Sequence, residues 1–133
     1  MNNTLNVTIN SFSYHNSGIP TDKSGNNGGF VFDCRFLPNP GRQEQYKLLT
    51  GKDKEVIQFF EEHPIMSSYL NHVKSIVDMA ITNYLERGFT HLQISFGCTG
   101  GQHRSVYCAE SLFSYLKDRT INTHLKHIEL EKL

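Results

Sequence analysis

Short stretches of the chain alternate between hydrophobic and polar residues. Residues 5–14 alternate from Leu5 onward, and residues 90–96 show the same pattern. A period of two residues is typical of a β-strand with one buried face. The apolar run at 30–32 and the start of the tail at Ile121 are also typical of strands. The pattern therefore predicts four strands spread along the sequence.

The segments between these strands have helical periodicity. Thr50 and Asp53 have the spacing of a capping box, which predicts a helix that starts there and stops at Pro64. An apolar stripe over 65–84 predicts a long helix with its apolar side in the core. A third amphipathic helix is expected over 102–117. Strands that alternate with helices predict an α/β sandwich with a mixed β-sheet and flanking helices.

Two loops and a tail complete the predicted organisation. Residues 16–29 and 37–51 are rich in glycine or proline, and the first loop is long enough to be functional or partly disordered. The end, about 129–133, is a polar tail. We expect residues 1–133 to form a single domain, because a chain of this length buries one core.

Composition narrows the class of protein. The chain has 133 residues, 13 Lys+Arg and 13 Asp+Glu, so its formal net charge is zero, which speaks against broad, non-specific binding of nucleic acid. No apolar run approaches the roughly 20 residues of a membrane span, and the N-terminal residues lack a secretory signal. Three cysteines are too few for a disulfide framework. We therefore expect a cytoplasmic protein with no membrane association.

The most informative segment is residues 97–105, Gly-Cys-Thr-Gly-Gly-Gln-His-Arg-Ser. It lies where a predicted strand passes into a predicted helix, so free backbone N–H groups and the helix dipole can attract an anion there. Arg104 in the first helical turn can donate two parallel hydrogen bonds to a phosphate. His103, Ser105 and Thr99 can donate further hydrogen bonds. The segment predicts phosphate binding, and a turn without a ligand is the structural alternative.

The pattern Cys98-x-x-Gly101-x-x-Arg104-Ser105 resembles the phosphate loop of cysteine-dependent phosphatases. In that family the cysteine thiolate attacks phosphorus while the loop holds the other phosphate oxygens. Asp33 is then the candidate that protonates the leaving group. We expect Cys98 to line the ligand site without turnover, with phosphate-monoester hydrolysis through Cys98, Arg104 and Asp33 as the enzymatic alternative.

A second resemblance covers about residues 5–132. The motifs Phe32-Asp33-Cys34-Arg35-Phe36-Leu37-Pro38-Asn39-Pro40, Thr50-Gly51-x-Asp53-Lys54 and Gly97-Cys98-Thr99-Gly100-Gly101-x-His103-Arg104-Ser105-Val106 occur in the order and approximate spacing found in the C-terminal domain of the RapZ/YvcJ family. Members of that family usually carry an N-terminal P-loop domain. This chain has no G-x-x-x-x-G-K-[ST] motif, so the resemblance is to the C-terminal domain alone, and ATP or GTP hydrolysis is not carried over.

The resemblance implies a domain that senses an amino-sugar phosphate such as glucosamine-6-phosphate and has a regulatory or adaptor role. By position, it implies that the ligand pocket is lined by Asp33, Arg35, Cys98, Thr99, Gly100, His103 and Arg104. The loop chemistry adds Gly101 and Ser105. A separate nucleotide-binding protein is a candidate partner, and no cofactor is expected.

RNA binding is a third alternative, since the RapZ branch of the family contacts small regulatory RNAs. The basic run tied to that contact reads Lys126-His127-Ile128 here, and the electrostatic attraction at zero net charge is small. His124 and His127 have a spacing that a metal could use, but we expect no metal site because no further ligands follow a recognisable pattern. A salt bridge between Asp33 and Arg35 is the structural alternative to their place in the pocket.

Overall fold

The structure, a computed structural model, describes residues 4–26 and 28–133. Its strands and helices follow the predicted order. They are β1 (Asn6–Ser13), β2 (Gly29–Asp33), α1 (Lys54–Glu61), α2 (Pro64–Glu86), β3 (His91–Cys98), α3 (Arg104–Leu116) and β4 (Asn122–His127). Short 3-10 turns lie at Pro40–Arg42, Glu44–Tyr46 and Leu130–Lys132. The α/β class predicted from the pattern is confirmed.

The four strands form one sheet in the order β2-β3-β1-β4. All three described pairings are parallel, so the prediction of a mixed sheet is wrong. The physical reason lies in the connections. The described residues between β1 and β2 form no helix, yet this segment runs from the carboxyl end of β1 back to the amino end of β2, as a helical crossover does.

All three helices pack on one face of the sheet. The inward side chains of β1 and β3, such as Ile9 and Ile94, are fully buried and belong to one hydrophobic cluster with residues of α1, α2 and α3. Helix α3 contacts β1, β3 and β4. We call this side of the sheet the helix face and the opposite side the outer face.

The connection from β1 to β2 runs over the outer face. The steps from β2 to β3 and from β3 to β4 go in one direction across the sheet, whereas the step from β1 to β2 goes in the other. Because parallel crossovers are right-handed, a step in the reverse direction has to pass over the opposite face. Residues 17–24 of this connection accordingly share a cavity with outer-face side chains of β1 and β3.

Several predicted boundaries need correction. Strand β3 runs to Cys98 rather than ending at 96, and α3 begins at Arg104 rather than Gln102. Gly97 continues the strand because its missing side chain leaves room for two aromatic rings. A Cβ atom there would lie 2.4 Å from Phe12 and 2.5 Å from Tyr14.

The capping box at the start of α1 forms only in part. The Asp53 carboxylate accepts a hydrogen bond from the Thr50 amide at 2.7 Å, but the Thr50 hydroxyl accepts from Lys52 instead of Asp53. Asp53 is itself the N-cap, so the helix begins at Lys54. Pro64, the predicted stop, is the first residue of α2, where a missing N–H costs nothing.

No helix among the described residues is both long and apolar enough to cross a membrane.

Candidate functional site

The segment between β3 and α3 forms the floor of a cavity of about 290 Å³. Five of the nine predicted site residues line it: Cys98, Thr99, Gly100, His103 and Arg104. Asn39, Gly41 and Gln102 complete the lining. No carboxylate is among these lining residues, so the cavity wall carries donors and a cation without an opposing negative charge.

We call residues 99–103 the anion loop, and their amides have no hydrogen-bond partner in the part of the chain that the structure describes. Gly101 makes the turn possible, because its φ of 73° is one that residues with a side chain rarely adopt. A Cβ at Gly101 would also lie 2.6 Å from Cγ of Glu129, so this glycine packs against the C-terminal segment instead of lining the cavity.

Arg104 is buried at the start of α3, with 5% of its surface exposed. Its Nη1 donates to the carbonyl oxygens of Arg35 at 2.6 Å and Leu37 at 3.2 Å, which ties the segment after β2 to the helix. Its Nε is buried and has no hydrogen-bond partner among the described residues. A buried donor without an acceptor is costly, and it marks a place where an acceptor is missing.

His103 is held from the side by the 37–51 loop. Its Nε2 lies 2.9 Å from the carbonyl oxygen of Tyr46. Because a carbonyl only accepts, Nε2 carries the proton and Nδ1 remains for another partner. The Gly51 amide donates to the Gln102 carbonyl at 2.8 Å, so the same loop also braces the anion loop.

Cys98 and Ser105 form a closed pair beneath the anion loop. Cys98 is 2% exposed and its thiol lies 3.2 Å from the Ser105 hydroxyl, while the Ser105 amide donates to the same sulfur. Ser105 is fully buried and does not line the cavity. The Cys98 thiol is therefore almost fully buried, although this residue also lines the cavity.

Asp33 and Arg35 lie outside the cavity and pair with each other. The Arg35 Nη2 is 2.7 Å from the Asp33 carboxylate, and its Nε is within 3.1 Å of both carboxylate oxygens. The hydrogen bonds from the Arg35 side chain hold the pKa of Asp33 below its usual value and outweigh the opposing effect of burial. The Arg35 guanidinium also lies 3.8 Å from the centre of the Tyr14 ring. The salt bridge that the sequence suggested as the structural alternative is therefore present.

Cys34 lies between these two residues and is fully buried, as the alternation of the segment predicts. Asn39 caps the turn that follows, since its Oδ1 accepts a hydrogen bond from the Gly41 amide at 3.0 Å. Sequence reasoning interpreted Asn39 as a turn residue and missed it as a lining residue. Only the fold brings the Pro-Asn-Pro segment next to α3.

The two histidines of β4 point to opposite sides of the sheet. His127 faces α3, where its Nδ1 lies 2.6 Å from the Ser11 hydroxyl and its Nε2 lies 2.7 Å from Glu110. His124 is exposed on the outer face, three positions away in an extended strand. Within residues 4–26 and 28–133, no three His, Cys, Asp or Glu side chains come together in a way that could hold a metal ion.

Comparison with known proteins supports the relationship suggested by the motifs. Residues 5–131 match the family described as the RapZ C-terminal domain. Similar curated proteins include a nucleotide-binding protein of Alkaliphilus oremlandii, 41% identical over 94% of this chain and 41% of its own length. Another, from Pseudothermotoga lettingae, is 36% identical over 95% of this chain and 43% of its own length. The chain thus spans about two fifths of these relatives. On this match, the chain belongs to the RapZ C-terminal domain family.

Proposed function

We propose that this chain binds a small phosphorylated metabolite at the anion loop and does not hydrolyse it. An amino-sugar phosphate such as glucosamine-6-phosphate is the first candidate. The proposal rests on one observation: within residues 4–26 and 28–133, neither the amides of 99–103 nor the buried Nε of the following Arg104 has a hydrogen-bond acceptor. A phosphate group supplies several charged oxygens that can accept hydrogen bonds from these donors.

The rest of the cavity suits the sugar part of such a ligand. The Nδ1 of His103 and the side chains of Asn39 and Gln102 offer hydrogen bonds to hydroxyl or amino groups. The volume of about 290 Å³ lies near the lower end of the range for ligand pockets, which favours a small metabolite over a nucleotide chain. Asp33 and Arg35 lie close to Arg104, because the Arg35 carbonyl accepts a hydrogen bond from the Arg104 side chain. Their own side chains contact the ligand only if the salt bridge between them breaks.

Binding without turnover is favoured by the position of the two groups that hydrolysis needs. The Cys98 thiol is buried and hydrogen-bonded to Ser105. The Asp33 carboxylate is engaged by Arg35 and does not line the cavity. Cys98 lines the cavity, but a nearly fully buried thiol engaged by Ser105 and an acid outside the cavity argue against covalent catalysis on a bound phosphate.

The test is phosphorus NMR of glucosamine-6-phosphate mixed with the protein and followed over hours. We expect a shifted or broadened ligand resonance whose total intensity stays constant. Arg104→Lys removes Nε, and we expect binding to weaken by about tenfold or more. The matched control is Arg119→Lys, because Arg119 pairs with Asp78 away from the cavity.

Arg104 also holds two carbonyls of the fold, so a second variant is needed. Thr99→Val keeps the shape of an exposed side chain and removes only its hydroxyl. It should weaken binding by a smaller factor while leaving the melting temperature unchanged. Growth of inorganic phosphate that Cys98→Ser abolishes would establish the hydrolase alternative. An unchanged ligand resonance at millimolar protein would reject the sugar phosphate.

A regulatory role follows from a site that binds and releases a metabolite unchanged. The relatives are called nucleotide-binding proteins and are more than twice as long as the matched segment. We therefore expect a nucleotide-binding protein or domain to be the partner that responds to whether this chain has a ligand bound.

A further inference from the structure

The outer face of the sheet is unusual for a parallel sheet. Such sheets are normally covered on both faces, and their strands then carry apolar residues on both sides. Here no helix of the described residues covers the outer face. The cross-strand row through its centre runs from Lys126 through Asn10 and Ser95 to Val31. The next row places Thr8 beside Gln93. Three of the four residues in the central row are thus polar.

A cavity of about 610 Å³ lies between this face and residues 17–24 of the β1–β2 connection. It lies on the outer face, whereas the anion loop is at the carboxyl end of β3, and the two cavities share no lining residue. The floor is formed by Thr8, Asn10 and Gln93, and one wall by Lys126 and Ile128. Its volume lies within the range of small-ligand sites.

The polar side chains of the cavity floor are partly buried, and they have hydrogen-bonding atoms left for a ligand. Asn10 is 4% exposed, and its Nδ2 donates to the Ser95 hydroxyl at 3.3 Å. Its Oδ1 accepts no hydrogen bond from a described residue. Gln93 uses its Nε2 to hold the Pro20 carbonyl of the covering segment at 3.2 Å. Amide oxygens of this kind suit the hydroxyl groups of a ligand.

The charges around the cavity are unbalanced. The single carboxylate in the lining, that of Asp22, already accepts hydrogen bonds from the amides of Ser24 and Gly28. Lys23 and Lys126 also line the cavity, and neither forms an ion pair with a described residue. The cavity therefore combines a neutral polar floor with two lysines that have no ion-pair partner among the described residues, which complements an anion that also carries hydroxyl groups.

From these observations we propose a second binding site on the outer face, for a small hydroxyl-rich anion such as a sugar acid or a sugar phosphate. Lys126 and Lys23 hold the anionic group, and Asn10, Thr8 and Gln93 receive the hydroxyl groups. The covering segment 17–24 closes the site from above. This site is independent of the anion loop and does not require that the proposed function hold.

The experiment uses amide proton–nitrogen correlation spectra of the protein, titrated separately with glucuronate, glucose 6-phosphate and glucose. We expect glucuronate and glucose 6-phosphate to shift the signals of Asn10, Gln93 and Lys126, and uncharged glucose to shift them far less. The two anionic probes differ in their head group, so their relative affinities tell a sugar acid site from a sugar phosphate site. Shifts at residues 99–103 report the other site in the same spectra.

Lys126 is an exposed residue of β4, and Lys126→Ala removes its positive charge. We expect the affinity for either anion to fall by about tenfold. Lys126→Arg should restore most of it. Lys117→Ala, at the end of α3 and outside the cavity, is the matched control. The proposal is overturned if no outer-face signal moves at millimolar anion, if only residues 99–103 respond, or if Lys117→Ala has the same effect as Lys126→Ala. Dilution-dependent shifts at the outer face without ligand would overturn it in favour of a second copy of the chain.

Discussion

The two faces of the sheet are built from the same strands but by different chemistry. On the helix face, Val7 and Ile9 pack against Leu92 and Ile94 with no exposed surface to speak of. On the outer face, the residues between them are polar and are covered only by a loop. Burial of apolar area supplies the stability, so the helix face carries the fold while the outer face is free to carry polar groups.

The anion loop follows the carboxyl end of β3, at the edge between the helix face and the outer face. Four of its five residues line the cavity, and the loop is anchored in the protein interior through Cys98, Ser105 and Arg104. For the proposed ligand, a loop supported in this way would be held in shape before binding. That reduces the ordering cost of binding.

The largest effect should come from deleting a side chain on the helix face. Ile9→Ala removes a fully buried group beneath α3 and should lower the free energy of unfolding by about 2–5 kcal/mol. Its neighbour Thr8 lies on the outer face, so Thr8→Ala should cost at most about 1 kcal/mol. Urea denaturation of the two variants measures the difference directly. Equal losses would show that the outer face carries as much of the stability as the helix face.

A second prediction concerns the three thiols, all of which are free and buried on the helix side. Cys108 is fully buried against Met66, and burial raises the pKa of its thiol well above the usual value. We expect none of the three to react with iodoacetamide in the folded protein near neutral pH, and all three to react in urea. Rapid alkylation of Cys98 in the native state would instead favour the alternative of phosphate-monoester hydrolysis through Cys98.

The smallest effect should come from the exposed pair at the end of β2. Because the Arg35 side chain lowers the pKa of Asp33, this carboxylate stabilises the fold above its unfolded value of about 3.9, and the contribution is lost as the pH falls through the lower folded value. The pair is exposed and screened by solvent, so the contribution is small. Asp33→Asn should be slightly less stable than wild type near neutral pH, and the gap should close at the acid end of a pH series of melting curves. A gap that widened in acid would contradict the assignment.

The elements that the sequence predicted well are those whose period is local. The stripe over 65–84 became α2, and the alternation from Leu5 became β1, because each pattern requires one face to be buried. The end of β3 was predicted less well. Gly97 looked like the start of a turn, whereas it stays in the strand because two aromatic rings occupy the space beside it.

The site shows the same division. Free backbone donors at a strand-to-helix junction could be expected from the glycines and Arg104, and five of the nine residues named from the sequence line one cavity. Asp33 and Arg35 are close in sequence and opposite in charge, so the sequence was compatible both with a salt bridge and with a place in the pocket. The fold pairs them outside the cavity. Asn39 joined the lining only because the 37–51 loop folds back onto the start of α3.

By itself, the sequence determined the elements, the family and the residue types of the anion loop, because each depends on residue type and short-range spacing. The tertiary structure alone decided that the described strands pair in parallel, that the buried Arg104 Nε has no partner among the described residues, and that the outer face is polar beneath residues 17–24. These depend on which distant segments meet, and a local pattern carries no information on the path that the connections take across the sheet.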